Sequence, residues 1–322
     1  MKVSVIVANY NYEAYLPLAI KSLLEQSYSD IEIVIVDDGS IDGSHEIIKD
    51  LHDQYPDQVK YLFQENNGHG GAIYSGFQIA TGSIISFLDS DDIWNPRKVE
   101  KVIQLFKENP DLVGVIHPLN TIDADGVVLS DAILPPEIPN GDLSQILLET
   151  GATWVYPPTS GITIHRSALE QILPMDPPEW RFWPDGCLLY CSAFLGKVMV
   201  IPETLGSYRN HGKNTYWSEG NPNREQQAKS LNGVQITNVW LNQFLVKINS
   251  PQRVNLLDNL HYRRAQYYYQ GQFNWLGFQE ISAQIIGWKF YSLREKIWFL
   301  FRFWMKNLKF VLNFKISVEN IV

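Results

Sequence analysis

The sequence predicts an α/β protein of the doubly wound type, with a mostly parallel sheet followed by a C-terminal helical extension. Short β-branched runs alternate with longer helical patterns over the first 117 residues, which is typical of strands connected by crossover helices. The runs at 3–8 and 31–36 are almost continuously apolar, as expected for central strands covered by helices on both faces. Beyond residue 219 the pattern is helical, without turn-separated strands.

Each element of the first part follows from these periodicities. We predict strands near 3–8, 31–36, 59–63, 84–88 and 113–117, and helices near 13–27, 42–54, 70–80 and 96–108. From 118 to 218 the pattern becomes irregular, with proline pairs and many aromatic residues, as in loops that carry binding and catalysis. A polar break at 218–223 precedes the helical part. The expected regions are therefore 1–117, 118–218 and 219–322.

Composition restricts the function classes. The 322 residues carry a net charge of −9, which argues against a nucleic-acid-binding protein, because such proteins need a basic surface. Cys187 and Cys191 are expected to be buried, reduced residues of a cytoplasmic protein. The N-terminus is expected to form the first strand and not a signal peptide, and no apolar run is long enough to cross a membrane.

Three carboxylates follow the fourth predicted strand, at Asp89, Asp91 and Asp92. Two carboxylates about 4 Å apart repel by roughly 1 to 4 kcal/mol in water-like to surface-like surroundings. A fold that gathers three usually binds a cation there, and Mg²⁺ or Mn²⁺ is the natural candidate. The alternative is a solvated turn that caps the next helix.

Polar residues also follow the first two strands. Tyr10 lies after the first strand, and Asp37 and Asp38 lie after the second. Since ligands of open α/β sheets bind outside the carboxyl ends of the strands, the tyrosine could stack on a base and an aspartate could bind a base or ribose. The alternatives are a packed aromatic at the rim and an Asx turn that leads into a helix. No glycine-rich phosphate loop follows the first strand, so phosphates are expected to be held by metal.

The motifs together resemble those of the family 2 inverting glycosyltransferases of the GT-A fold. The resemblance covers about the first 215 residues and is carried by VSVIVANYN (3–11), IVDDGSID (35–42), NGHGGAIYSG (67–76), FLDSDD (87–92), PDG (184–186) and YRNHGKN (208–214). It implies that 1–117 binds a nucleotide sugar and that 118–218 forms the acceptor-side and catalytic half of the same domain.

The resemblance also implies roles for single residues on the donor side. Asp91 would be the main metal ligand, and Asp89 would face the ribose and the metal. Ala8, Tyr10 and Asp38 would contact the nucleotide. Asp37 would belong to the same nucleotide-binding site and would help to orient the loop. His211 would touch the phosphate or the metal, next to Arg209 and Lys213 at the diphosphate. His69 occupies a place where the family has bulkier or basic residues, so its contact stays open.

On the acceptor side, Asp185 resembles the catalytic base, which takes the proton of the attacking hydroxyl. Family members often have an acidic residue just before this position, whereas this chain has Pro184. A simple helix N-cap is the alternative for Asp185. Residues 159–161 match a segment that approaches the acceptor.

The end of the chain is unusually apolar and basic. Residues 286–316 hold seven Lys or Arg against one acid, a local net charge of +6. The stretch 288–314 resembles an interfacial basic amphipathic helix that contacts a membrane surface. Packing against the catalytic domain or a second subunit is the alternative.

We therefore expect inverting, metal-dependent transfer of a sugar from a nucleotide diphosphate sugar to a hydroxyl of a saccharide or lipid-linked acceptor. Cell-surface polysaccharide or glycolipid assembly is the expected context, at the inner face of the plasma membrane. A sugar-nucleotide nucleotidyltransferase and a non-catalytic nucleotide-sugar-binding module are the alternatives.

Overall fold

The computed structural model describes residues 1–130, 138, 141–154, 156–174, 184–212 and 223–319, with side chains up to residue 308. In the first part, strands and helices alternate as predicted: β1 (Val3–Asn9), α1 (Leu16–Leu24), β2 (Ile31–Asp37), α2 (Ser44–Gln54), β3 (Val59–Phe63), α3 (Gly68–Ile79), β4 (Ile84–Asp89), β5 (Ile93–Trp94), α4 (Lys98–Glu108) and β6 (Leu112–Ile116). β5 was not expected from the sequence. α1 begins three residues later than predicted, because a turn closed by Tyr12 precedes it and Pro17 suits its first turn.

The irregular part, residues 118–218, contains short elements. These are β7 (Asn120–Ile122), β8 (Val128–Ser130), α5 (Leu143–Thr150), a 3₁₀ turn (Thr159–Gly161), β9 (Ile162–His165), α6 (Arg166–Ile172), α7 (Pro184–Ala193), β10 (Lys197–Val200) and β11 (Gly206–Arg209). The helical part follows with α8 (Arg224–Lys247), α9 (Leu260–Gln270), α10 (Trp275–Gly287) and α11 (Leu293–Glu319). The predicted helical extension is therefore confirmed.

The main sheet has seven strands in the order β10-β6-β9-β4-β1-β2-β3. β1 pairs in parallel with β2 and β4, and β9 runs antiparallel between β4 and β6. The predicted mostly parallel, doubly wound sheet is confirmed. A second sheet has four strands in the order β5-β11-β7-β8.

The strands separate two apolar layers, because successive side chains of a strand point to opposite faces. In β1, Val5 and Val7 pack with α1, α2 and α4, whereas Ile6 packs with α3 and α7. The second layer continues into the helical part, since Trp240 and Leu241 of α8 belong to it. The helical part thus shares a core with the sheet domain.

The last helices have a small core of their own, built around Leu260, Tyr267, Ile281, Ile285 and Phe303. None of the helices in the described ranges is both long enough and apolar enough to cross a membrane.

Candidate active site

The sheet brings the predicted strand ends together. β1 lies between β2 and β4, with Asn9 opposite Asp37 and Ala8 opposite Asp89. Because the three strands are parallel, their carboxyl ends share one rim of the sheet. Tyr10 stands on this rim with 47% of its surface exposed, and Ala8 is partly exposed. Both residues can therefore reach a ligand.

Asp37 supports the loops of the rim. Its Oδ2 accepts a hydrogen bond from Asn9 Nδ2 at 2.8 Å, and its Oδ1 accepts from the backbone N–H of Ser40 at 2.9 Å. His45 Nε2 lies 2.9 Å from the same Oδ1. The side chain is fully buried, so this arrangement does not favour the predicted nucleotide contact and gives Asp37 the loop-orienting role instead.

Asp38 joins the rim to the beginning of α3. Its Oδ1 accepts hydrogen bonds from Gln64 Nε2 at 2.7 Å and from the Asn67 N–H at 2.8 Å, and its Oδ2 accepts from the Gly68 N–H at 2.7 Å. Gly68 has a φ of +78°, a conformation that glycine adopts without steric cost. Asp38 thereby holds in place the loop that carries His69.

The three acids after β4 have different surroundings. Asp89 is partly exposed, Asp91 is nearly buried and Asp92 is fully buried. Asp92 Oδ2 accepts from Ser160 Oγ at 2.6 Å, and its Oδ1 accepts from the Arg209 N–H at 2.9 Å. Burial raises the pKa of Asp92 well above its usual range, and the charges of Asp91 and Asp89 add to this. Asp92 therefore ties β4 to the 159–161 turn and to β11.

Asp91 and His211 meet across the site. His211 Nε2 lies 3.1 Å from Asp91 Oδ2, and its ring stacks on Tyr15 with centroids 5.3 Å apart. Burial raises the pKa of Asp91, the charge of Asp89 adds to the rise, and the hydrogen bond to His211 opposes it. Asp91 and His211, which were predicted to bind the metal and the phosphates, thus lie in direct contact.

Arg209 supports the backbone around the end of β4. Its side chain is buried, and its guanidinium donates hydrogen bonds to the backbone carbonyls of Asp91 at 2.8 Å, Asp123 at 3.2 Å and Ala124 at 3.0 Å. These bonds hold the end of β4 against the 123–124 turn. The arrangement gives Arg209 a supporting role and does not favour the predicted diphosphate contact. Lys213, the other predicted cation, lies outside the described residues.

A second group forms around His69 at the beginning of α3. His69 Nε2 lies 3.0 Å from Asp89 Oδ1. Burial alone would lower the pKa of His69, but Asp89 outweighs it and, with Asp185 and Asp91, raises that pKa to about 9. The glycines around His69 marked this loop in the sequence, but its ion pair with Asp89 depends on the folded chain.

Asp185 lies in the first turn of α7 and is partly exposed. Burial raises the pKa of Asp185, the charge of Asp89 adds to the rise, and His69 opposes it. Gly186 allows α7 to approach Tyr156, because a Cβ at this position would lie 2.9 Å from Tyr156 Oη. The candidate base therefore belongs electrostatically to the same site as Asp89.

The 159–161 turn supports this site through hydrogen bonds of Ser160. Ser160 Oγ accepts from the Asp89 N–H at 3.0 Å, and Ser160 O accepts from Trp94 Nε1 at 2.9 Å and from Lys98 Nζ at 3.1 Å. The turn is buried, which does not favour the expected acceptor contact. Lys98 is fully buried over the Trp94 ring, and burial lowers its pKa well below the usual range. No sequence signal separates Ser160 or Lys98 from ordinary turn and helix residues.

The residues present fit a metal ion that is coordinated partly by protein side chains and partly by the phosphates of a bound substrate. Within the described ranges, no group of three or more His, Cys, Asp or Glu side chains could hold a metal ion alone. The three predicted ligands lie in two ion pairs instead, Asp91 with His211 and Asp89 with His69, which was not predicted as a ligand. Mg²⁺ and Mn²⁺ suit such a site, since they bind through one or two carboxylates and complete their coordination with substrate phosphates and water.

Comparisons with known proteins agree with this fold. The model of glycosyl transferase family 2 matches residues 4–173, just over half of the chain. An uncharacterized glycosyltransferase of Nostoc sp. is 45% identical over 320 residues, covering 99% of each chain. The chondroitin synthase of Escherichia coli is 32% identical over 129 residues, which is 40% of this chain and 19% of that protein.

Among solved structures, S. aureus TarS 1-349 in complex with UDP-GlcNAc superposes with a TM-score of 0.51 at 18% identity, covering 88% of this chain and 84% of that one. This likeness shows the fold. The chain belongs to glycosyltransferase family 2, as its motifs predicted, and is a glycosyltransferase. Family membership favours sugar transfer over the nucleotidyltransferase and non-catalytic alternatives.

Proposed function

We propose that the chain transfers a sugar from a nucleoside diphosphate sugar to an acceptor hydroxyl, with inversion at the anomeric carbon and with a divalent metal. The observation that carries this proposal is the position of Asp89 and Asp91 at the carboxyl end of β4, on the rim shared with β1 and β2, 3.0 Å from His69 Nε2 and 3.1 Å from His211 Nε2, respectively. The charge of Asp185 also acts on His69. Three carboxylates around a partly exposed site create a negative field that a cation and a transfer reaction would use.

On the donor side, Tyr10 would stack on the base from the exposed rim, with Ala8 and Asp38 around the nucleotide. Asp37 supports their loops through Asn9 and Ser40. A nucleotide sugar as donor is consistent with the UDP-GlcNAc complex of TarS, a protein of the same fold. Turnover of different nucleotide sugars would identify the base and the sugar that this chain uses.

Asp91, with Asp89, would hold Mn²⁺ or Mg²⁺ against the donor diphosphate, and His211 would touch a phosphate or the metal. When bound, the cation would neutralise the charge that develops on the leaving diphosphate. His211 is oriented for this by Tyr15, on which it stacks, and by Asp91 itself. Arg209 keeps β4 in place through its bonds to backbone carbonyls, so the two carboxylates keep their spacing.

On the acceptor side, Asp185 would accept the proton of the attacking hydroxyl. The acceptor oxygen then forms the new bond to the anomeric carbon, while the bond to the diphosphate oxygen breaks and its electron pair leaves with the diphosphate. Burial raises the pKa of Asp185, which makes its carboxylate a stronger base than an exposed aspartate.

The acceptor would be a saccharide or a lipid-linked saccharide, in the assembly of a cell-surface polysaccharide or glycolipid. The similarity to chondroitin synthase over 129 residues supports a polysaccharide context. A place at the cytoplasmic face of the plasma membrane would bring the enzyme to such acceptors.

The test is a panel of nucleotide sugars, assayed for nucleoside diphosphate release with Mn²⁺, with Mg²⁺ and with EDTA. We expect one donor to turn over in the presence of metal, and Asp185→Asn to lower kcat by about 100- to 10,000-fold. Asp142→Asn is the matched control, because Asp142 caps α5 by accepting from the Gln145 N–H at 3.1 Å. Asparagine caps helices about as well as aspartate, so this control should keep its activity.

Three results would contradict the proposal. Full activity of Asp185→Asn would reduce Asp185 to a helix cap. Turnover that persists in EDTA would show that the reaction does not need a divalent metal. Release of pyrophosphate in place of a nucleoside diphosphate would indicate a nucleotidyltransferase.

A further inference from the structure

The last helix exposes an unusual amount of apolar surface. α11 touches the rest of the chain through a narrow stripe that includes Phe299, Leu300 and Phe303. Between residues 293 and 308, where its side chains are described, seven large apolar side chains are 43% to 75% exposed: Leu293, Ile297, Trp298, Phe301, Trp304, Met305 and Leu308. At 3.6 residues per turn, these seven positions fill one arc of roughly 140°.

The beginning of α10 extends this arc. Phe273, Trp275 and Leu276 are 39% to 69% exposed. The ring of Phe278 lies 5.7 Å from that of Trp275 and 5.9 Å from that of Trp304, so the two helices are joined by aromatic contacts. We call these three residues and the seven of α11 the aromatic surface. Soluble monomers rarely expose contiguous apolar patches of this kind.

Cations border the aromatic surface. Arg302 and Lys306 follow one edge of the arc, and Arg294 lies at its N-terminal end. The Arg302 guanidinium lies 4.6 Å from the centre of the Trp298 ring, and Lys306 Nζ lies 3.7 Å from that of Tyr268. Cations beside interfacial aromatic rings are typical of helices that lie at the headgroup level of a bilayer.

The sign of the charge separates a lipid surface from a second copy of the chain. Residues 286–316 hold seven Lys or Arg against one acid. Two copies that met through this surface would bring like charges together, which opposes association. Anionic lipid headgroups supply the opposite charge while the acyl region receives the apolar arc.

We propose that the aromatic surface docks on an anionic lipid bilayer, with α11 lying in the plane of the headgroups. This proposal rests on the membrane location given in the proposed function, and it adds which surface of the protein makes the contact. It needs no donor, metal or acceptor. Lipid binding can therefore be absent while sugar transfer in solution is present, and lipid binding can be present while sugar transfer is absent. The two proposals are thus tested separately.

The experiment is co-sedimentation of the full chain with phosphatidylglycerol–phosphatidylcholine vesicles and with pure phosphatidylcholine vesicles. We expect binding to the anionic vesicles that weakens with added salt. The double variant Ile297→Ser/Phe301→Ser should lower affinity at least tenfold, because two exposed apolar side chains no longer enter the bilayer. Arg302→Gln/Lys306→Gln should lower affinity for anionic vesicles by roughly 10- to 30-fold.

The matched control is Val239→Ser/Val246→Ser on α8, where two exposed apolar residues lie outside the aromatic surface. This control should bind as the unchanged chain does. Circular dichroism and urea unfolding check that all variants fold equally. Absence of binding to anionic vesicles, or binding that neither test variant weakens, would overturn the proposal. So would a dimer in sedimentation equilibrium that Ile297→Ser/Phe301→Ser dissociates while vesicle binding is absent.

Discussion

Glu32 is a buried charged residue in β2, which lies between β1 and β3, and its replacement by glutamine tests how the sheet is held together. The side chain is 2% exposed. One oxygen accepts from Ser4 Oγ and from the Thr81 N–H, and the other lies 2.7 Å from Lys2 Nζ and 3.1 Å from Lys60 Nζ. Glu32 thus joins β1, β2 and β3 to the loop before β4.

The expected loss in Glu32→Gln follows from these partners. Lys2 and Lys60 are 41% exposed and can be rehydrated, so their ion pairs contribute little by themselves. The buried hydrogen bonds contribute more, since bonds to a charged group contribute about 1.5–3 kcal/mol each and glutamine turns a donor towards two ammonium groups. We expect the free energy of unfolding to fall by about 2–4 kcal/mol at pH 7.

The pH dependence follows from the pKa of Glu32. Burial alone would raise this pKa, but the hydrogen bonds from Lys2, Ser4 and Thr81 outweigh it and hold the pKa far below its usual range. A carboxyl with a depressed folded-state pKa stabilises the fold above its unfolded pKa and loses this effect as the pH falls towards the folded value. The difference between the unchanged chain and Glu32→Gln should therefore shrink below about pH 4.3, by roughly 1.4 kcal/mol per pH unit.

Urea unfolding followed by circular dichroism measures both effects. Lys2→Gln and Lys60→Gln serve as controls, and each should change the free energy of unfolding by less than about 1 kcal/mol. A loss below about 1 kcal/mol in Glu32→Gln at pH 7, or a difference that stays constant between pH 7 and pH 3, would refute the reasoning.

Two further predictions concern the support of the site. Ser160→Ala removes the donor to Asp92 and the acceptor of the Asp89 N–H, so it should lower stability by about 1–3 kcal/mol and lower kcat; an unchanged urea midpoint and unchanged kcat would contradict this role. Gly186→Ala should lower activity, because its Cβ would lie 2.9 Å from Tyr156 Oη. The double variant with Tyr156→Phe should recover part of the activity, and no recovery would mean that the contact with Tyr156 Oη is not the cause.

The fold was predictable where the pattern is local. β1, β2 and β4 were recognised because a buried strand needs an apolar run, and α4 because its apolar residues recur at helical spacing. β5 and β7 have two and three residues, which is too short for any period to appear. The antiparallel insertion of β9 between β4 and β6 depends on pairing between distant segments, and a local pattern does not contain that information.

The site divides in the same way. The sequence by itself determined that Tyr10, Asp38 and Asp89 gather on one rim, because parallel strands carry their carboxyl ends to the same edge of the sheet. Only the tertiary structure decided the exposure and the partners of each of the neighbouring aspartates. Asp89 and Asp92 are chemically identical, yet Asp89 is partly exposed beside His69, whereas Asp92 is buried between Ser160 and β11. The reason is that burial and hydrogen-bond partners are supplied by residues far away in the sequence, which a motif does not specify.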